Sequence, residues 1–301
     1  LIFWKRTPVF LKIKTFAHGR RNCKLNQWIL LFLLFLIYSF LGWLCESIYC
    51  SIPAKRFINR GFLNGPICPV YGVGGVIIVL LLEPFQNNLL LLYCFGVLIT
   101  SIVEYITGFL LETIFHTRWW DYSNRRFQIH GRVCLRNSLL FGVMAVILMK
   151  CIHPLFLRLL EAIPPALLLW IGGAAFICLA ADTVISARAA LQLSGKLQEL
   201  ETVLEELRIK SEERRKAGLA SLQKTLSSSH EELIHRLKEQ QADIEKNLHL
   251  LHRRLLNAFP SMNSPKYRDA FLHLREAIEE RRSFLSQKRQ SKKSKSKKGQ
   301  K

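Results

Sequence analysis

Acidic residues are scarce where this chain is most apolar: positions 1–190 hold 7 Asp+Glu against 18 Lys+Arg. Residues 191–301 hold 15 against 25, and there it is the long apolar run that is missing. No C-x-x-C pair occurs among the eight cysteines. Cys45, Cys50, Cys94, Cys151 and Cys178 lie inside apolar runs, so packing as small hydrophobes is favoured over a disulfide or zinc framework. No G-x-x-x-x-G-K-[ST] phosphate loop is present, so these 301 residues are not themselves the ATP-hydrolysing kind of chain. The first apolar run is too long for a signal peptide, has no A-x-A-like site after it, and contains Glu46. No cofactor or metal is expected.

What the chain does have is 50% hydrophobic residues and a formal charge of +21, two properties that rarely share one soluble surface. They separate along the sequence. Residues 1–27 form a basic N-terminal segment, whose Leu1 in place of Met reads as a mis-started edge. Residues 28–190 form a transmembrane domain, 191–286 a water-soluble helical, coiled-coil-like region, and 287–301 a Lys-rich tail. The expected fold is all-α: a polytopic bundle of about five membrane helices followed by a cytoplasmic helical tail.

A helix rises about 1.5 Å per residue, so crossing the hydrocarbon core takes about 20 apolar residues. Trp28–Cys50, Leu89–Phe115, Ser138–Leu160 and Pro164–Ala190 meet that length. Pro69–Leu82 sits at the lower limit and either spans with little to spare or dips in and returns. Basic loops prefer the cytoplasm. Five spans with the N-terminus outside put Lys55, Arg56 and Arg60, the five arginines between His116 and Asn137, and the basic tail all on the cytoplasmic side. The Glu83–Asn88 connection then faces out. The cost is seven basic residues before Trp28 on the wrong side.

Charges inside spans are expensive and generally face a protein interior. Glu46, Glu104, Glu112 and Asp182 are the four worth naming. Glu104, Gly108 and Glu112 recur at intervals of four and share one helix face. Two basic loops match them in character: FINRGFLNGPICPVY at Phe57–Tyr71 and WWDYSNRRFQIHGRVCLRNSLLF at Trp119–Phe141. Each mixes Arg with Asn, Gly and aromatics, and glycine and proline make such loops shaped paths. Taken one by one, Trp119, Trp120 and Tyr122 read as interfacial anchors and the arginines as orientation signals, a reading that explains less well the Gly, Pro and Asn recurring beside them. The candidate polar site comprises Glu46, Arg60, Asn64, Glu104, Glu112, Asp121, His130, Arg132 and Arg136. Cost suggests a partner for Glu104, with Arg60 or Arg132 as candidates.

GWLCE at Gly42–Glu46, NRGFLNGPICPVYG at Asn59–Gly72, EYITGFLLE at Glu104–Glu112, WWDYS at Trp119–Ser123 and HGRVCLRNSLLFG at His130–Gly142 together resemble a bacterial multi-pass family, the putative ABC-transporter type IV or ABC transporter permease family. The likeness covers about residues 30–185 in order. It departs at Phe141, where the family carries Trp before the glycine. It implies a permease subunit served by a separate ATP-binding subunit. LEAIPPALLLW at Leu160–Trp170 lacks the glycine pattern of the EAA loop of importer permeases. Two other readings stay open. One is a membrane-embedded enzyme acting on a lipid or envelope precursor, with His130 and a carboxylate as acid and base. The other is a scaffold or sensor whose tail recruits partners.

In the tail, Leu193, Leu197, Leu200, Leu204 and Leu207 alternate at spacings of four and three. A second register follows Gly218: His230, Leu237, Ile244 and Leu251, with Leu226, Leu233 and Gln240. Either a helical hairpin or self-association through residues 191–256 satisfies this seam. The last fourteen residues hold eight basic groups and no acidic one, which suits contact with anionic lipid. No aromatic or RNA-binding motif accompanies that charge, which argues against nucleic acid.

Overall fold

The computed structural model describes residues 23–217, 231–232, 234–235, 239 and 250–276. The first apolar run forms α1 (Cys23–Ala54), and Pro69–Leu82 forms α2, with Pro69 opening its first turn. A 3-10 turn at Glu83–Phe85 ends α2 before α3 (Leu89–Phe115). The Asn88 side chain caps α3 by accepting from the Leu91 N–H at 3.1 Å. The long basic loop folds into a small hairpin, β1 (Gln128–Ile129) against β2 (Val133–Cys134). His130 and Gly131 turn it with φ of 50° and 71°, and the Ile129 carbonyl accepts from Arg132 N–H at 3.0 Å. With Ile129 paired to Val133, residues 130–132 form a three-residue loop, and its two successive positive φ angles reverse the chain tightly. Helix α4 (Leu135–Ile147) runs through a π-helical turn, Leu148–Ile152, into α5 (His153–Glu161). Helix α6 (Pro165–Ala217) is 53 residues long, and α7 spans Leu250–Ala258.

Among the described residues, four helical stretches are long and apolar enough to cross a membrane: Gln27–Ala54, Leu89–Phe115, Leu135–Glu161 and Pro165–Glu212. At 14 residues, α2 is about 21 Å long, shorter than the other four although it lies in their midst. The surface of α3 is inverted relative to a water-soluble helix. Leu92 is fully buried and Glu104 is 7% exposed, whereas Ile106 and Phe109 are about half exposed. An apolar exterior over a polar interior is what a lipid surrounding selects.

The chain divides into two compact units. The first, residues 1–114, 119–188 and 254–262, holds a core of Leu30, Leu34, Tyr38, Ile78, Leu82, Leu92, Leu148 and Leu157. Its closest helix approach is α1 on α2. A side chain on Gly72 would overlap Ser39 and Phe35, and one on Gly75 would strike Tyr38. In the same unit Trp119 bridges Phe62 and Phe259, with ring centroids 5.1 and 5.0 Å away, so the first basic loop meets the second. At the far end of α2, the Lys150 ammonium donates to the Gln86 carbonyl. Gly72→Ala is expected to cost about 1–3 kcal/mol, the usual range for overpacking a fitted contact, seen as a lower unfolding temperature in detergent. Gly173→Ala, where an added carbon meets nothing within 4 Å, should leave that temperature unchanged or raised. Equal losses at both positions would mean that close approach is not what Gly72 provides.

The second unit comprises residues 115–118, 189–253 and 263–301. The α6 seam is buried at Leu193, Leu197 and Leu200 and then shifts to Val203, while Leu204 and Leu207 are only partly covered. The helix has a neighbour from the same chain: residues 268–276 are helical, Tyr267 donates to Gln198 at 3.3 Å, and Ala270 N–H donates to Glu201 at 2.9 Å. Ala270, Phe271 and Leu274 are buried alongside. Arg118 and Asn263 exchange a pair of backbone hydrogen bonds at 2.8 and 3.0 Å. The second register, from Leu226 through Gln240 to Ile244, lies outside the described residues, as do residues 1–22 and the Lys-rich tail.

Candidate functional site

A non-helical segment among membrane helices must have its backbone polar groups satisfied by protein, and the stretch from Asn59 to Tyr71 is held by side chains from three other segments. Asp182 on α6 accepts from the Asn64 N–H at 3.0 Å, the Gly65 N–H at 2.8 Å and the Asn64 amide at 3.0 Å. Ser186, one turn on, donates to the same carboxylate at 3.2 Å. From the other side Arg254 donates to the Phe62 carbonyl at 2.7 Å and to that of Leu63. Burial lowers the Arg254 pKa from its ordinary value, and Asp182 opposes that shift. Trp43 on α1 donates to Asn59 at 2.6 Å, and Asn59 in turn donates to the Asn64 carbonyl at 3.1 Å. The glycines and asparagines of this loop are therefore a frame for being gripped.

Next to the loop the first unit holds a part-open cavity of about 190 Å³. Its walls come from α1, α2, α3, α4, both basic loops and Phe259, and most of them are apolar. Three charged side chains line it: Glu46, Arg60 and Glu104. The Arg60 guanidinium lies 3.3 Å from Glu46, donates to the Ala258 carbonyl, and sits 4.7 Å over the Phe259 ring. The other Glu46 oxygen accepts from the Tyr71 hydroxyl at 2.6 Å. Glu104 has no arginine partner among the described residues. One of its oxygens accepts from Tyr122 at 3.3 Å, and the other is buried with no hydrogen-bond partner among the described residues. Asn137 donates to the Tyr122 hydroxyl at 2.8 Å. Burial first, then the neighbouring Glu104, push the Tyr122 phenol above its ordinary pKa, so it stays protonated as a donor.

The second basic loop lies along the α3 face that Glu104, Gly108 and Glu112 share. A side chain on Gly108 would meet Trp120 and Arg132 at 3.4 and 3.5 Å. Arg132 forks onto Glu112 at 2.7 and 3.1 Å and covers Tyr105 and Phe109, while its carbonyl accepts from the Trp120 indole at 2.9 Å. The pair is largely covered, at 14% and 18% side-chain exposure. Breaking a pair in this setting leaves a charge uncompensated, so Arg132→Gln or Glu112→Gln alone should each cost about 1–3 kcal/mol, and the double variant less than their sum. The comparison is made on unfolding midpoints in detergent, and simple additivity would refute the coupling.

A family model described as putative ABC-transporter type IV matches residues 33–187. The chain belongs to this family. No curated protein and no solved structure matches it. The matched residues contain every cavity-lining side chain except Phe259. Residues 254–262, which supply Arg254, Ala258 and Phe259 to the same unit, lie beyond the match.

Of the residues singled out by sequence, the cavity gathers Glu46, Arg60 and Glu104. Asn64 serves the loop clamp, and Glu112 with Arg132 forms the neighbouring pair. The pairing expected for Glu104 is not found: Arg60 has gone to Glu46 and Arg132 to Glu112. Each arginine reaches a carboxylate nearer its own loop, and Glu104 lies deeper along α3. His130 is exposed on the hairpin turn, where its ring nitrogen meets the Tyr105 hydroxyl at 3.1 Å and, among the described residues, no carboxylate. Asp121 accepts from Ser123 N–H at 2.9 Å within its own turn, and Arg136 is exposed. Sequence reasoning passed over Tyr71, Phe259 and Arg254. It also missed a buried pair in which Tyr38 and His153 meet at 2.7 Å, since a lone tyrosine in an apolar run gives no sign of a partner 115 residues away.

Proposed function

We propose that this member of the putative ABC-transporter type IV family is a multi-pass permease subunit, driven by a separate ATP-hydrolysing subunit. The cavity, with Glu46 and Glu104 in its wall, would be part of the substrate path. The observation that carries this reading is a cavity among membrane helices that keeps a buried carboxylate with no counter-charge among the described residues, which a structural scaffold does not need. A five-crossing arrangement with a cytoplasmic tail agrees with the meeting of the two basic loops through Phe62 and Trp119, since α2 then carries the chain from that end to the opposite one. The enzyme reading is weaker, because His130 faces no carboxylate among the described residues.

Two measurements test this. Pull-down of the full chain from detergent, with identification of what accompanies it, should recover an ATP-hydrolysing protein; recovery of other partners alone would refute the permease role. Reporter fusions after Ala190 and at Asn87 should read cytoplasmic and exported, respectively. An exported signal from the first would overturn the orientation.

A further inference from the structure

We propose that the cavity is a binding site for a small organic cation, an ammonium group on an apolar body, with Glu104 as its counter-ion. This names the substrate class of the path proposed above and rests on that reading for its physiological meaning. The binding itself is a property of the isolated chain.

Size sets the first limit. Dry apolar cavities of about 150 Å³ take up a benzene-sized molecule, and this one, at about 190 Å³, accommodates an aromatic ring with a short side arm. Its walls suit such a body: Leu41, Val70, Ile78, Val103, Met144 and Leu148.

Charge sets the second. Arg60 is committed to Glu46, to the Ala258 carbonyl and to the Phe259 ring, so the Glu46–Arg60 pair is close to neutral as seen from the cavity. Glu104 is left as the uncompensated group. It is 7% exposed, and its second oxygen lacks a hydrogen-bond partner among the described residues. Left alone, a carboxyl in such a place is driven toward its neutral form, and a cation brought to it is what stabilises the ionised one. The surrounding rings act in the same direction, because Trp120, Tyr122, Tyr71 and Phe141 all line the space, and aromatic faces attract cations. An anionic ligand would face the same carboxylate with no free arginine to answer it. A neutral ligand would gain the apolar walls but leave Glu104 unmatched.

The test uses the purified full chain in detergent and three probes of one shape: phenethylammonium, 2-phenylethanol and phenylacetate. Binding is measured by titration calorimetry at neutral pH against micelle-only blanks. A hydrogen bond to a charged group contributes about 1.5–3 kcal/mol, so phenethylammonium should bind about tenfold or more tightly than the alcohol, and phenylacetate should give no specific heat. Glu104→Gln should erase the preference between ammonium and alcohol, whereas Glu104→Asp, which keeps the charge, should retain it. The charge series on the unaltered protein decides the matter even if Glu104→Gln fails to fold. Equal binding of ammonium and alcohol, tighter binding of phenylacetate, a preference that survives in Glu104→Gln, or no binding by any probe would each overturn the proposal. Ammonium binding without a co-purifying ATPase would sink the permease reading and leave the site standing. A co-purifying ATPase without ammonium binding would do the reverse.

Discussion

Asp182→Ala is expected to release the loop between Asn59 and Tyr71 and to lower the unfolding midpoint in detergent steeply. One carboxylate accepts four hydrogen bonds, from the Asn64 N–H, the Gly65 N–H, the Asn64 amide and Ser186. Alanine leaves two backbone donors of a non-helical segment without acceptors, and each unsatisfied donor costs about 1–3 kcal/mol. Asp182, Asn64 and Gly65 are half-buried, so water meets part of that need, and a total of about 2–4 kcal/mol is expected from loss of this network. Asp182→Asn keeps one acceptor oxygen and should lose roughly half as much. Limited proteolysis gives a second readout, since a freed loop should be cut between Asn59 and Tyr71 first. A midpoint within about 0.5 kcal/mol of the parent, the range of indifferent surface changes, would show that Arg254 and Arg60 hold the loop without Asp182.

Arg60→Ala should have the next largest effect. It removes the ion pair with Glu46, the bond to the Ala258 carbonyl and the stacking on Phe259. With side-chain exposures of 16% and 26% the pair is not fully dry, so about 2–3 kcal/mol is expected, below the range for a completely buried pair. Much of that is the penalty on Glu46, which keeps Tyr71 but loses its counter-charge. Arg60→Ala combined with Glu46→Gln should therefore be less destabilising than Arg60→Ala alone. Lysine should rescue poorly, because its single ammonium cannot meet Glu46 and the Ala258 carbonyl in the planar geometry that guanidinium allows. Full rescue by lysine would reduce the role of Arg60 to charge alone.

The same loop shows how far local reading reaches. Glycine, proline and asparagine between two apolar runs marked Arg60–Tyr71 as shaped, because those residue types act on the backbone where they stand. What the shape was for could not be seen there: the residues that grip it come from positions 182, 186 and 254. Likewise the face shared by Glu104, Gly108 and Glu112 follows from helical periodicity alone, yet the periodicity is silent on which loop covers it. The α6 seam behaved in the same way. Leu193, Leu197 and Leu200 are buried as their spacing requires, but the spacing does not say that Gln198 and Glu201 meet Tyr267 and Ala270 of the same chain.

By itself, the sequence determined the membrane helices and the basic loops between them, because the cost of placing polar groups in hydrocarbon is settled segment by segment. It also determined the family, through ordered motifs within residues 33–187. Tertiary structure alone decided the assignment of charges. Two arginines and three glutamates are chemically interchangeable on paper, and only packing distance fixed Arg60 on Glu46 and Arg132 on Glu112. That choice left Glu104 with Tyr122 and no arginine among the described residues. In a low dielectric an ion pair forms only where desolvation is offset by close geometry, and closeness is a property of the fold.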